Sequence, residues 1–408
     1  MTVVTMNFEM QNPRDMPNLD YWTRLGFALL QNLVVGRLKV ILPDGRQAVF
    51  NGREPGPEAI VEVQDTTVVR RFLLGGDVGF AEALMDGQAS SPDLPTLVEL
   101  FARNKIAIEQ KGPTTFWKTA LRRTLHWLNR NTPRGAKRNI AYHYDLGNAF
   151  YERWLDPTMT YSAARFEGSQ QDLEAAQRAK YHRIADRLSL TPGMSVLEIG
   201  CGWGGFAEIA ARDYGVRVHG ITLSREQHDY ATQRMAKAGL SDRVTITLQD
   251  YRDVTGHWDA IASIEMFEAV GAVYWETFFR TVRERLRAGG RAALQIITID
   301  EMSFDDYRRN PDFIQRYIFP GGMLPTRRHV IDHAMAVGLD HQGEEAFGLD
   351  YARTLKEWRL RFLEAWPDIR TLGFDDRFRR MWEYYLAYCE GGFRSRNIEL
   401  YQFAFQAR

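Results

Sequence analysis

Apolar runs and amphipathic stretches alternate over the last two thirds of the chain. Five runs with the composition of buried strands follow residue 139, and segments with apolar residues at helical spacing separate them. These predicted strands cover residues 195–199, 216–221, 244–248, 258–264 and 291–297. Their order predicts an α/β domain with a mostly parallel, doubly wound sheet.

The pattern changes after the fifth predicted strand. Residues 305–328 are rich in aromatic side chains and lack a regular period, which predicts an irregular insertion. Helices over residues 354–366 and 376–389 and a last strand over residues 399–405 are predicted to follow. Because an open α/β sheet binds ligands at the carboxyl ends of its strands, the insertion is expected to roof the ligand crevice.

The N-terminal part has shorter elements. The predicted strands cover residues 36–42, 47–50 and 59–63, and the predicted helices cover residues 68–74, 80–85 and 94–107. The turn Pro43-Asp44-Gly45 joins the first two strands as a hairpin. We therefore expect an α+β domain for binding or association over residues 1–112, a linker over residues 113–138 and the α/β domain over residues 139–408.

Composition limits the partners and the compartment. The 408 residues include 52 basic and 52 acidic side chains, so no overall charge favours nucleic acid, and none is expected as a partner. Cys201 and Cys389 do not indicate a disulfide framework and are compatible with a reducing cytoplasm. A signal peptide, a run of about 18 apolar residues and a metal-ligand cluster are all absent from the sequence, which predicts a cytoplasmic, metal-free protein.

The linker has a local positive charge. Residues 113–138 contain no acidic side chain, and aromatic and leucine side chains lie between their cations. The cations are Lys118, Arg122, Arg123, Arg130, Arg134, Lys137 and Arg138. This composition predicts peripheral contact with the inner face of a membrane, although an interdomain helix with solvated cations explains it equally well.

A glycine-rich turn follows the first predicted strand of the α/β domain. Residues 196–206, VLEIGCGWGGF, run from a strand through the turn into a helix. Missing side chains at Gly200, Gly202 and Gly205 let a ligand approach the backbone and the N–H groups at the helix start. The spacing fits a dinucleotide or another nucleotide-type cofactor.

Acidic residues near the turn distinguish these cofactors. A dinucleotide site carries an acid about 20 residues after the glycines, at the end of the second strand, but residues 218–224, VHGITLS, contain none. Glu198 precedes the first glycine by two residues, where S-adenosylmethionine (SAM)-dependent methyltransferases often carry an acid. The pattern favours methyl transfer over a nicotinamide oxidoreductase.

Motifs along the chain resemble the cyclopropane fatty acid synthase family, which includes the mycolic acid methyltransferases. They are HYDLGN (143–148), LEIGCGWGG (197–205), GITLSREQ (220–227), QDYRD (249–253), MFE (266–268), YIFPGG (317–322) and YYLAYCEGGF (384–393). The resemblance is strong over residues 139–408. In the N-terminal part, LPDG (42–45) and GGDVGFAEA (75–83) are similar to the extra domain of the bacterial phospholipid enzymes.

The resemblance implies a Rossmann-like class I methyltransferase fold, SAM as methyl donor, and an unsaturated acyl chain of a membrane phospholipid as substrate. The alkene attacks the sulfonium methyl, and loss of a proton from the incoming carbon closes a cyclopropane ring. A lipid-binding N-terminal domain and a homodimer are also implied. The residues expected to bind SAM are Tyr161, Ser162, Glu198, Gly200, Gly202, Thr222, Ser224, Gln227, Asp250 and Tyr251.

The same family uses a bound bicarbonate as the base, held by a Cys, a Glu, a His, an Ile and a Tyr. The matching positions here are Ala163, Glu268, Gln295, Ile297 and Tyr351, so the Cys and the His are replaced. These losses remove a side-chain donor and a group that can become cationic, which should weaken bicarbonate binding. Backbone N–H groups and the Gln295 amide could still hold an anion.

The sequence leaves three outcomes open. Cyclopropane formation, with Glu268, Tyr351, Gln295 and Ile297 in the catalytic pocket, is the main expectation. In the alternative, a methyl or methylene branch forms without ring closure, and Glu268 or a nearby tyrosine replaces bicarbonate as the base. A catalytically inactive lipid-binding protein is the third, but it predicts decay of the glycine-rich turn, which is intact.

Overall fold

A computed structural model describes residues 9–10, 16–109, 146–168 and 171–408. The predicted basic linker, residues 113–138, lies outside the described residues. The chain forms two compact units: residues 1–121 with 373–397, and residues 122–372 with 398–408. The sequence predicted residues 139–408 as a single domain, whereas here the segment 373–397 clusters with the N-terminal unit.

The first unit contains a small mixed sheet with the order β1-β3-β2-β4-β5. Its strands are β1 (Glu9–Met10), β2 (Val35–Ile41), β3 (Gln47–Asn51), β4 (Glu54–Val63) and β5 (Ala89–Ser90). β2 and β3 pair antiparallel across the predicted Pro43-Asp44-Gly45 turn, in which the Gly45 N–H donates to the Leu42 carbonyl at 2.9 Å. β2 then pairs parallel with β4.

The described residues of this unit also form the helices α1 (Tyr21–Leu30), α2 (Thr67–Met85), α3 (Leu94–Glu109) and α13 (Asp376–Arg394). Gly76 breaks the helical geometry of α2 with φ 61° and ψ −143°, which accounts for the two separate helical patterns in its sequence. α13 packs on α2 and α3. The backbones approach closely, since a Cβ on Gly391 would lie 2.7 Å from the Val98 side chain.

The second unit is built on a seven-stranded sheet with the order β11-β12-β10-β9-β6-β7-β8. The strands are β6 (Ser195–Ile199), β7 (Arg217–Thr222), β8 (Val244–Leu248), β9 (Trp258–Ile264), β10 (Leu286–Ile299), β11 (Leu339–Ala346) and β12 (Ile398–Ala407). The five strands from β6 to β10 are parallel, whereas β12 runs antiparallel to both β10 and β11. The predicted α/β class and mostly parallel sheet are confirmed.

Helices cover both faces of this sheet. They are α4 (Asn148–Tyr151), α5 (Leu173–Leu188), α6 (Gly205–Tyr214), α7 (Arg225–Lys237), α8 (Trp275–Arg285), α9 (Glu301–Tyr307), α10 (Arg327–Ala336), α11 (Gly348–Glu364) and α12 (Trp366–Arg370). Consecutive strand residues point to opposite faces, so Leu197 belongs to one buried cluster and Val196 to the other. The core therefore has a layer on each side of the sheet, as a doubly wound fold requires.

Two segments of this unit differ from the sequence prediction. β11, which the sequence did not predict, is a half-buried strand containing His341, Glu344 and Glu345, so it lacks the apolar signal of a buried strand. The segment 305–328, predicted as irregular, includes the end of α9, a π-helix at Ile314–Ile318 and the start of α10.

The strand order places a topological switch point between β6 and β9. The chain passes from β6 through β7 to β8 in one direction and then returns to build β9 and β10 on the other side of β6. Ligands of open α/β sheets bind at the carboxyl ends of the strands at such a point. Among the described residues, no helix has both the length and the apolar character that crossing a bilayer requires.

Candidate active site

The glycine-rich turn lies at the carboxyl end of β6 and leads into α6. Gly200, Gly202 and Gly204 have φ angles of 83°, 52° and 83°. A Cβ on Gly200 would lie 2.7 Å from Cγ of Met266, whereas a Cβ on Gly202 would meet nothing within 4 Å. The backbone at Gly202 therefore faces open space, where a ligand can approach it.

Two further contacts fix this turn. The Trp203 indole N–H donates to Oδ1 of Asn148, the last residue of the HYDLGN motif, at 2.8 Å. Arg234 of α7 donates to the Trp203 carbonyl at 3.4 Å and to the Thr158 carbonyl at 2.7 Å. The turn is thus held by the segment before the sheet and by α7.

The end of β7 forms a second polar edge beside the turn. The Thr222 hydroxyl donates to Oε1 of Gln227 at 2.8 Å, and the Ser224 N–H donates to the Thr222 hydroxyl oxygen at 3.1 Å. Ser224 also caps α7 by accepting the Gln227 N–H. The structure thus brings these three predicted residues together, and the N–H groups of the Gln227 amide are its donors toward a ligand.

Glu198 and Tyr251 each contain a buried polar atom without a hydrogen-bond partner within the described residues: Oε2 of Glu198 and the Tyr251 hydroxyl. Burial raises the pKa of Glu198 well above its usual value, although Lys180 and Arg234 oppose this effect. Burial raises the pKa of Tyr251 to about 12, so its hydroxyl keeps its proton. The neighbouring Asp250 is paired with Arg252 at 2.6 Å.

These groups fit SAM. Unpartnered buried polar atoms call for a ligand that supplies the missing donors and acceptors. SAM carries a sulfonium and an ammonium, which suit Glu198, and ribose hydroxyls and an adenine, which suit the polar end of β7 and the open backbone at Gly202. Tyr251 can donate to the same molecule, whereas the Asp250 carboxylate already accepts from Arg252.

A second cluster centres on Glu265, the residue that directly follows β9. Its Oε1 accepts from the Ala163 N–H at 2.9 Å and from Nε2 of Gln295 at 2.7 Å, and its Oε2 accepts from the Tyr351 hydroxyl at 2.6 Å. Glu265 has φ 50°, a left-handed conformation that side chains other than glycine rarely adopt. Such strain persists where the surroundings fix the residue, often at a functional site.

Gln295 connects this cluster to the neighbouring strand. It is fully buried on β10, and its Oε1 accepts from Nε2 of Gln402 on β12 at 3.0 Å. The Gln295 amide orientation is therefore fixed, with its N–H groups toward Glu265. A buried amide in an apolar strand requires such partners, as the sequence indicated.

The other predicted carboxyl, Glu268, is in a different environment. Its Oε1 accepts from the Ile297 N–H at 2.6 Å, and its Oε2 is buried without a partner among the described residues. Burial and the negative charge of Glu265 raise the pKa of Glu268 to about 8. Burial also raises the pKa of Glu265, but the bonds from Tyr351 and Ala163 oppose the shift. The environment of Glu268 thus favours the protonated form more strongly than that of Glu265 does.

The Tyr161–Ala163 segment lines the same region. The Tyr161 ring lies 5.4 Å from Tyr151 and 5.2 Å from Trp358, within an aromatic cluster. The Ser162 hydroxyl accepts from Nζ of Lys180 at 2.6 Å. Among the described contacts, therefore, Tyr161 and Ser162 pack beside the Glu265 cluster, and Ser162 binds a protein cation.

Sequence reasoning gives no individual role to Glu265, Lys180 or Gln402. The run 265–271 follows the fourth predicted strand, where methyltransferases commonly place groups that face the transferred methyl, but within that run only Glu268 is predicted as a site residue. Lys180 is in a helix whose pattern gives no sign of complete burial. Gln402 is in the last strand, and its contact with Gln295 depends on the antiparallel β10–β12 register.

The sheet order, the glycine-rich turn at its switch point and the unpartnered acid before that turn define a class I SAM-dependent methyltransferase. The chain belongs to the mycolic acid cyclopropane synthetase family, whose model matches residues 131–403.

Individual relatives match a larger part of the chain than the family model does. The chain is 38% identical to the tuberculostearic acid methyltransferase UfaA1 of Mycobacterium tuberculosis over 90% of this chain and 86% of that protein. It is also 38% identical to the cyclopropane-fatty-acyl-phospholipid synthase of Escherichia coli K12, over 87% of this chain and 89% of that protein. The crystal structure of mycolic acid cyclopropane synthase CmaA1 with SAH and CTAB is 31% identical, with a TM-score of 0.62 over 66% of this chain and 98% of that one.

Substitution of Gly202 tests the SAM site. A Gly202→Ala side chain would project into the open space beside the turn, so we expect SAM affinity to fall at least about tenfold, or about 1.4 kcal/mol. Gly239→Ala is a matched control, because Gly239 also has a positive φ, of 68°, and a Cβ there would likewise meet nothing within 4 Å. Each variant should lose about 1 kcal/mol of stability from backbone strain. Calorimetric titration with SAM and thermal unfolding measure both effects, and equal SAM affinities in the two variants would contradict this placement.

Proposed function

We propose that the protein methylates the double bond of an unsaturated phospholipid acyl chain with SAM, and that Glu265 replaces bicarbonate as the base. The observation that carries this proposal is the cluster around Glu265. Its carboxylate accepts from Ala163, Gln295 and Tyr351, which stand at positions matching the Cys, the His and the Tyr that hold bicarbonate in the family. On this proposal, the protein's own carboxylate takes the place of the anion.

The cofactor and the chain have separate roles in this reaction. SAM supplies an electrophilic methyl group on a sulfonium. Glu198, the Gly200–Gly204 turn and the Thr222–Gln227 edge would hold the cofactor at the carboxyl ends of β6 and β7. Glu265, at the end of the adjacent strand β9, lies on the other side of the switch point, where the acyl double bond would meet the methyl group.

Proton removal then depends on the acceptor capacity of Glu265. When the alkene forms its bond to the methyl carbon, the C–S bond breaks with its electron pair on sulfur, and the positive charge passes to an acyl carbon. A carboxylate offers about four acceptor positions, and Ala163, Gln295 and Tyr351 occupy three of those on Glu265. The remaining one, on Oε2, is available for the proton that neutralises the product.

Glu268 suits a different role. Because burial and the nearby charge raise its pKa to about 8, Glu268 is largely protonated at neutral pH and is a poor acceptor. It holds the Ile297 backbone, and through it the end of β10, in place. The geometry thus favours Glu265 over Glu268 as the base.

Two observations support a methyl or methylene branch as the product. The chain departs from the ring-forming family pocket at Ala163 and Gln295, both of which contact Glu265. The relative matched over 90% of this chain is named as a methyltransferase. The cyclopropane product is the second candidate, because the phospholipid synthase of Escherichia coli is equally similar. The phospholipid substrate would be met at a membrane surface.

The first test is the product formed by the purified protein. Vesicles of a monounsaturated phosphatidylglycerol are incubated with SAM carrying a trideuteromethyl group, and the released fatty acids are analysed by mass spectrometry and NMR. We expect deuterium in the acyl chain, with olefinic signals and without the high-field cyclopropane signals. Cyclopropane signals would select the second candidate, and an unlabelled acyl chain from protein that binds SAM would refute acyl methylation.

The second test removes the base. Glu265→Gln keeps the size of the side chain but cannot accept the proton, so we expect the rate to fall by about 100-fold or more with SAM affinity unchanged. Glu268→Gln is the matched control: it retains an acceptor for the Ile297 N–H and replaces a protonated carboxyl, so a change of only a few-fold is expected. A larger loss in Glu268→Gln than in Glu265→Gln would assign the base to Glu268.

A rescue experiment asks whether the carboxylate stands in the place of bicarbonate. Glycine accepts the φ of 50° at position 265 without strain, so Glu265→Gly removes the carboxylate and leaves its three donors in place. Added bicarbonate or formate should then restore part of the lost activity, with no effect on the unaltered protein. Glu268→Gly receives the same additions as a control, and rescue of that variant alone would contradict the assignment.

A further inference from the structure

Lys180 is an ionisable side chain that the proposed mechanism does not use. It lies on α5, with none of its surface exposed, and its Nζ donates to the Ser162 hydroxyl at 2.6 Å and lies 4.1 Å from the centre of the Tyr181 ring. A cation is rarely buried unless it is paired, because loss of hydration is costly. Its position therefore indicates a role.

Lys180 shares its helix face with Gln177, three residues earlier. Nε2 of Gln177 donates to the Ser162 carbonyl at 2.8 Å, so the two side chains hold both the hydroxyl and the backbone of that residue. The next residue, Ala163, donates its N–H to Glu265. The face of α5 thus fixes the segment that orients the Glu265 carboxylate.

We propose that Lys180 is a positioning residue for Glu265: it holds the Ser162–Ala163 turn on the carboxylate and supplies the buried positive charge that favours its ionised form. This inference rests on the proposed function of Glu265 as the base. Gln177 contributes to the first of these two effects but not to the second, because its amide is neutral.

The charges around the pair are consistent with this role. Lys180 interacts with Glu265 after β9, with Asp156 after α4 and with Glu198 at the end of β6. Glu265 in turn receives the Tyr351 hydroxyl from α11 and lies near Glu268. Burial lowers the pKa of Lys180 to about 7, and the three carboxyls oppose that effect. Below that pKa, Lys180 is cationic.

The sign of the pH effect follows from this arrangement. The base must be ionised, so the rate falls as the pH decreases through the pKa of Glu265. A nearby positive charge lowers that pKa, and its removal raises it. The acidic limb of the pH–rate profile should therefore move to higher pH when Lys180 becomes neutral.

The experiment compares Lys180→Met and Lys180→Gln with Gln177→Leu in the full-length protein. Initial rates are measured at saturating SAM on vesicles of monounsaturated phosphatidylglycerol from acid to neutral pH. Both Lys180 variants should lose at least about tenfold in rate, and their acidic limbs should move up by about one pH unit. Gln177→Leu should lose rate with its limb unmoved.

Several outcomes would overturn the inference. If the acidic limb of the pH–rate profile does not move in either Lys180 variant, or moves equally in Gln177→Leu, Lys180 only packs in the core and does not affect the ionisation of Glu265. SAM affinity and melting temperature are measured for each variant to identify misfolding. If the neutral variants do not fold, Lys180→Arg serves as a further test, because it keeps the charge. It should show a reduced rate with the same acidic limb of the pH–rate profile as the unaltered protein. An acidic limb that moves up by a pH unit in this variant would refute the charge role.

These outcomes are separable from failure of the proposed function. If Glu265 is not the base, Glu265→Gln keeps an acidic limb and most of its activity, whatever the Lys180 variants do. If Glu265 is the base but Lys180 has no role in its ionisation, Glu265→Gln is inactive and Lys180→Met titrates like the unaltered protein.

Discussion

The convergence of three donors on one carboxylate is the constraint on which the site depends. Glu265 receives a backbone N–H from the segment before the sheet, an amide from β10 and a hydroxyl from α11. These groups lie 102, 30 and 86 residues away in sequence, so they meet only when the sheet, α11 and the Ser162–Ala163 turn are all in place. The positive φ of Glu265 is tolerated because those bonds over-determine its conformation. Disturbing any one donor would loosen the other two.

The same constraint separates the proton affinities of two neighbouring glutamates. Burial raises the pKa of Glu265, but its three donors and the buried Lys180 nearby oppose the shift. Glu268 has one backbone donor and the negative charge of Glu265 against it, so its pKa rises to about 8. Pairs of carboxyls whose environments separate their pKa values are a common way to divide acid and base roles at one pH. The difference here follows from the number of hydrogen bonds that each carboxyl accepts, and the proposed function uses it to give Glu265 the acceptor role.

The sequence predicted most of the second unit because its strands are buried on both faces and stand out as apolar runs. Strands such as 195–199 and 258–264 agree with β6 and β9 at both ends. The sequence missed β11 because an edge strand can be polar and half-exposed. It predicted Gln295 and Tyr351 as pocket residues, and both donate to Glu265 in the structure. It named Glu268 rather than Glu265, because motif position carries no information on hydrogen-bond partners. Lys180 escaped notice for a similar reason, since burial of a cation depends on packing between distant segments.

On the proposed function, one change explains both departures from the family pocket, at Ala163 and Gln295. A carboxylate of the protein replaces the bound bicarbonate. A bicarbonate needs donors strong enough to hold a diffusible anion, and an imidazole that can become cationic serves that purpose. A carboxylate attached to the backbone needs no binding affinity, so a neutral amide at position 295 and a backbone N–H at position 163 are sufficient to orient it. An imidazolium at position 295 would lower the basicity of such a carboxylate further, beside the charge that Lys180 already supplies. The Ala163 and Gln295 substitutions are therefore not signs of a decaying site: each is the partner that a fixed, still basic Glu265 requires.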